Sequence, residues 1–110
     1  MHELALMESM MCAIGERLGE AKVVRVRVEV GTLMAVMPEA MQFAFESCAQ
    51  GTGMEGARLE IDQITARGRC RACGSEAELD GVVALCAACG GADVEVVAGG
   101  ELRIREVEVE

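Results

Sequence analysis

The chain has 110 residues, 52% of them hydrophobic but only 2% aromatic, and a formal net charge of −9. That apolar share excludes a disordered chain, and the length sets one ordinary domain, or one small domain carrying an insert. The acidic balance and the shortage of aromatic rings argue against a nucleic-acid binder, which needs cations for phosphates and rings for base stacking.

Leu4, Met7, Met11, Ile14 and Leu18 recur at alternating steps of three and four, one apolar stripe on a helix spanning about 3–18. Gly19 is placed to end it. VVRVRVEV, 23–30, alternates strictly, with Val24, Val26, Val28 and Val30 on one face and Arg25, Arg27 and Glu29 on the other, a half-buried strand. Pro38 suits the first position of a second helix, where its missing N–H costs nothing, and Glu39 follows in the positive first turn. Met41, Phe45 and Cys48 share a face of that helix, which GTGMEG at 51–56 breaks. A second strand is predicted at 57–65 with Leu59 and Ile61 inward; Ile64, out of phase, marks a bulge or the strand end. ELRIREVEVE, 101–110, is a third strand, with a change of phase near Arg105. The Gly-, Ala- and Cys-rich stretch between the last two strands reads as an insert joining two strands of one sheet.

These elements predict an α+β fold: two helices packed on a small three-stranded sheet, with a four-cysteine zinc-ribbon-like insert before the last strand. The expected division is 1–66, completed by 98–110 as the last strand, and the insert at 67–97. The N-terminus has no basic leader, and no run reaches the roughly 18 apolar residues of a membrane span, so no membrane association and a cytoplasmic location are expected.

Within the insert, GRCRACG and ALCAACG are two copies of C-x-x-C-G. Together Cys70, Cys73, Cys86 and Cys89 read C-x2-C-x12-C-x2-C. Each pair can reach one metal ion from a tight turn, and Gly74 and Gly90 let the backbone turn back beneath the sulfurs. Two such turns supply four thiolates at tetrahedral corners, which zinc accepts. Iron in a rubredoxin-like site is the rival, since four thiolates suit either metal. Matched pairs favour joint ligation over a redox dithiol. Arg67, Arg69 and Arg71 cluster at the first knuckle, and the ordinary reading is solvated charge on the insert. Cys12 and Cys48, one on each helix, read as buried core thiols.

The only histidine, His2, stands between Met1 and Glu3. The Met1 α-amine, the His2 amide nitrogen and the His2 imidazole can close fused chelate rings on one ion, with the Glu3 amide or carboxylate as a further donor. Nitrogen-rich tetragonal sites suit Ni(II) or Cu(II). A helix N-terminus repels cations, but amide deprotonation and the charges of Glu3 and Glu8 offset this. On these residues alone, an idle exposed histidine ahead of a helix stays open as the alternative. No nucleophile–base pattern points to catalysis, and no catalytic residue is assigned.

MHEL at the start, EVGTLMAVMPEAMQFAF in the middle, EGARLEI and the two knuckles together resemble the nickel-insertion accessory proteins of NiFe-hydrogenase maturation, the HypA/HybF family. The resemblance runs over nearly the whole chain. It implies a nickel metallochaperone rather than an enzyme, with Met1, His2 and Glu3 matching the nickel motif and Cys70, Cys73, Cys86 and Cys89 the zinc motif. It also implies work with a maturation GTPase and delivery to the hydrogenase large subunit, and some members serve urease. One departure is Ala87, where the family often has proline; it removes no ligand.

Overall fold

The computed structural model describes residues 2–79 and 85–110. Their order is α1 (His2–Leu18), β1 (Val23–Gly31), a 3-10 turn (Thr32–Met34), α2 (Pro38–Ala49), β2 (Arg58–Ile64), β3 (Arg67–Cys70), β4 (Glu76–Glu78), β5 (Val94–Ala98) and β6 (Leu102–Val109). The predicted three-stranded sheet is present in the order β2-β1-β6, and a second sheet, β4-β3-β5, occupies the insert. The α+β architecture, two helices on a small sheet with the cysteine cluster before the last strand, is therefore the one the periodicities imply.

The chain divides into two compact units. One holds the residues up to Val28 with Val36–Ile61 and Ile104–Glu110; the other holds Glu29–Ala35 with Asp62–Arg103.

In the first unit α1 and α2 pack on each other and bury Met7, Met10, Ile14, Met41, Ala44, Phe45 and Ala49. Val23, Val26, Val28 and Leu59 supply the strand side of the same core. The stripe on α1 is rotated slightly from the predicted one. Met10 rather than Met11 is buried, and Leu18 is exposed. Cys12 is exposed and Cys48 only half-buried, which corrects the reading of both as core thiols: the positions turned into the core are Met10 and Ile14 on α1 and Ala44, Phe45 and Ala49 on α2. No helix among the described residues is long and apolar enough to cross a membrane.

The other face of β1 carries charge. The Arg25 guanidinium, flanked by β2 and β6, donates to Glu60 at 2.9 Å, Glu106 at 2.8 Å and Glu108 at 3.0 Å. The hydrogen bond and charge of Arg25 hold the Glu106 carboxyl below its ordinary range. A carboxyl that ionises more readily folded than unfolded contributes stability above the ordinary glutamate range, and the contribution fades as pH falls through the lowered value. Arg25→Met is therefore expected to lower the melting temperature by a few degrees at neutral pH and low salt. The difference from the parent chain should shrink in acid and in high salt. Thermal unfolding followed across pH tests this; a difference that does not change with pH would refute it.

The second unit has a small core: Val30, Ala66, Cys70, Leu79 and Cys86 are its buried apolar side chains among the described residues. Strand β3 is its centre. It pairs antiparallel with β4, Arg67 opposite Glu78, and antiparallel with β5, Cys70 opposite Val94. Gly68 is buried at the middle of β3, and a Cβ there would come within 2.6 Å of Val94 and 2.9 Å of Leu79. Those two side chains fill the space the glycine leaves.

Candidate metal centre

The knuckles are built twice by one hydrogen-bond pattern. At the first, the Gly74 N–H donates to the Cys70 carbonyl at 2.8 Å and the Cys70 N–H to the Ser75 carbonyl at 2.9 Å. At the second, the Gly90 N–H donates to Cys86 at 2.8 Å and the Cys86 N–H to Gly91 at 2.9 Å. Gly74 has φ +78° and Gly90 φ +74°, the left-handed region where a Cβ is penalised. Each turn thus aims two sulfurs at one point.

The four sulfurs lie within 4.8 Å of one another, with Cys70 to Cys89 at 3.6 Å and Cys73 to Cys86 at 3.5 Å. Tetrahedral zinc with Zn–S bonds of about 2.3 Å places sulfurs about 3.8 Å apart, so the donor set fits such an ion. Cys70 and Cys86 are buried, while Cys73 and Cys89 reach the surface. The Cys86 thiol is drawn down to about 6 by the backbone N–H groups of Cys89 and Ala88. At Cys89 the Gly91 N–H acts to lower the thiol, but the neighbouring sulfurs of Cys70 and Cys86 outweigh it and push it up to about 11. Crowded sulfurs resist collective ionisation; a dication among them reverses that balance. Around the cluster, Arg71 pairs with Asp93 at 2.6 Å and Arg69 with Glu76 at 3.9 Å, so these arginines are held by carboxylates of the insert itself.

At the other end of the sequence, Met1 lies outside the described residues. His2 opens α1 and is exposed; Glu3 follows in its first turn and is half-buried. The Glu3 carboxylate accepts the Met37 N–H at 3.1 Å. Met37 is the N-cap of α2 and makes no side-chain cap of its own, and Pro38 follows it in the first turn. The start of that helix therefore needs an acceptor from elsewhere, and a carboxylate suits its positive end. The bond with Met37, then that with its own N–H, lowers the Glu3 carboxyl. This cap is a role of Glu3 that its place in the MHE triplet does not show. The signal for it was a helix start, Met37-Pro38, with no local capping side chain.

A small α+β chain whose four thiols close on one point in a zinc-ribbon-like insert defines a class of metal-binding protein. A family model described as hydrogenase/urease nickel incorporation, metallochaperone, HypA matches residues 1–109, and the chain belongs to that family. The hydrogenase maturation factor HypA of Nostoc punctiforme is 44% identical over 110 residues, covering 100% of this chain and 96% of that protein. The factor of the same name from Geotalea uraniireducens is 42% identical over 110 residues, covering all of both chains. The solution structure of the Ni metallochaperone HypA from Helicobacter pylori shares the fold, with a TM-score of 0.71 at 21% identity, covering 99% of this chain and 97% of that one. The family is one of metallochaperones, not of enzymes.

Proposed function

We propose that this chain carries Ni(II) as cargo on its first three residues and delivers it during maturation of a NiFe-hydrogenase, with urease as a second outlet. The observation that carries this reading is the match to a nickel-incorporation family across residues 1–109, with the MHE triplet and all four cysteines in place. The Met1 amine, the His2 amide and imidazole, and Glu3 are the donors, a nitrogen-rich set suited to Ni(II). Cys70, Cys73, Cys86 and Cys89 would hold a structural zinc, which supplies folding energy and leaves no open position for chemistry. In domain terms, 1–66 with 98–110 is the nickel-binding part and 67–97 the zinc-binding insert. The partners are a GTPase of the same maturation system and the hydrogenase large subunit, in the cytoplasm. Cargo on terminal residues is open to competing ligands from a partner; zinc among four thiolates is not.

A nickel titration of the zinc-loaded chain, native and His2→Ala, tests the reading. The native chain is expected to bind one Ni(II). His2→Ala should weaken binding by more than the roughly 10–100-fold that losing even a supporting partner of a metal ligand costs. Zinc content should be the same in both. Equal nickel affinity would remove the triplet from the site.

A further inference from the structure

Only two aromatic side chains occur in the chain, and they have opposite surroundings. Phe45 is 1% exposed in the core of the first unit; Phe43, two residues earlier on the same helix, is 72% exposed. Helical geometry explains the split, since residues two apart face different sides. It does not explain why the exposed position holds phenylalanine.

Phe43 stands at the edge of a groove of about 310 Å³ between α1 and α2, lined with it by Glu3, Leu4, Ala40, Ala44 and Ser47. Met37, at the start of α2, is 62% exposed. Apolar surface of this kind with a polar rim marks an interaction site. The rim has one sign. Glu3 lines the groove, and α2 contains Glu39 and Glu46 and no lysine or arginine. Glu39 and Glu46 stand four residues before and three residues after Phe43, the spacing that puts them on its side of the helix.

We propose that this groove is a docking site for an amphipathic helical segment of a partner protein, with aliphatic anchors that seat on Phe43 and flanking lysines or arginines that meet Glu39 and Glu46. An apolar-faced helix in a groove between two helices is a recurrent recognition mode, and a central aromatic is a common energetic anchor of one. Charge of one sign around the anchor speeds encounter with a basic segment and rejects an acidic one. Glu3 lines the same groove. Resting on the nickel reading of the first three residues, the site would bring the partner against the triplet that holds the cargo.

The test uses the full zinc-loaded chain and a synthetic helical peptide of about four turns. Leucines occupy positions i, i+3, i+4 and i+7, and lysines flank them; a control peptide has glutamates in their place. Calorimetry and amide NMR shifts are the readouts. The lysine peptide is expected to bind and to shift Leu4, Ala40, Phe43 and Ser47, more weakly at higher salt, and the glutamate peptide is not. Phe43→Ala, at an exposed position that leaves the core intact, should weaken binding about 30-fold, the scale of an interface anchor. Glu39→Lys with Glu46→Lys should weaken the lysine peptide and admit the glutamate one. No binding, equal affinity for both peptides, indifference to Phe43→Ala, or shifts confined to other surfaces would overturn the proposal. So would a dimer of the native chain that Phe43→Ala dissolves, because the occupant would then be a second copy. Nickel stoichiometry of Phe43→Ala, measured alongside, should equal that of the native chain. Loss of nickel binding in the native chain itself would instead defeat the nickel reading, with the peptide result unaffected.

Discussion

Cys73→Ser is expected to abolish stoichiometric zinc and to unfold the second unit while α1 and α2 keep their helical structure. The reason is the composition of that unit's core. Val30, Ala66, Cys70, Leu79 and Cys86 are its buried apolar side chains among the described residues, and two of the five are themselves sulfur donors of the cluster. Strands as short as the four-residue β3 and the three-residue β4 add little alone. Zinc binding to small zinc peptides is worth roughly 10–16 kcal/mol, comparable with or larger than the whole stability of an ordinary domain, about 5–15 kcal/mol. Removing one of four thiolates should forfeit much of it. The helices rest on a different core, built from Met7, Met10, Ile14, Met41 and Phe45. Zinc stoichiometry, far-UV circular dichroism and amide exchange measure the outcome. Protection should vanish through Arg67–Cys70 and Val94–Ala98 and persist in His2–Leu18 and Pro38–Ala49. Retention of one zinc per chain would remove Cys73 from the ligand set. Zinc loss with exchange unchanged in β3 and β5 would show that the insert folds without it. Chelation of zinc from the native chain should reproduce the variant.

Why the metal cluster was legible, and the sheet around it was not, follows from how each is encoded. Two C-x-x-C-G repeats fix four sulfurs by local turn geometry, so spacing alone predicts convergence. Strand β4 is Glu-Ala-Glu, wholly exposed, and β5 carries apolar side chains that remain half-buried or exposed. Neither shows a period-two signal, because the unit has almost no core to impose one. Their pairing follows from the turns that bring Cys70 opposite Val94. The helices and β1 were legible for the converse reason: their burial is large and periodic. Even there the phase drifts. Val23 is fully buried and Val24 only half-buried, although Val26, Val28 and Val30 keep the predicted alternation. Ile64, out of phase in the sequence, is the last residue of β2, so it marks the strand end. The cap that Glu3 gives Met37 joins residues 34 apart in sequence: the Met37-Pro38 helix start shows that an acceptor is wanted, and nothing local shows which residue supplies it.

One residue added before Met1 is expected to eliminate tight nickel binding while zinc content, helix content and thermal stability stay as in the native chain. The extension changes no residue in the sequence. It converts the primary amine, with an ordinary pKa near 7.7–8.0, into a peptide nitrogen and removes the terminal chelate ring. Glu3 variants separate the remaining contributions. Glu3→Gln keeps an oxygen acceptor for the Met37 N–H and loses the charge, whereas Glu3→Ala loses both. If Glu3 acts by holding the triplet against the start of α2, Gln should retain most of the nickel affinity and Ala should not. If its carboxylate is a nickel donor, Gln and Ala should weaken binding alike. Acid should release nickel from the native chain, because the amine, amide and imidazole must all be free of the protons that compete for them. Titration of the native, extended, Glu3→Gln and Glu3→Ala chains, each with zinc measured in parallel, resolves these outcomes. Undiminished affinity in the extended chain would remove the Met1 amine from the site, and the imidazole of His2 would then be the group to trace.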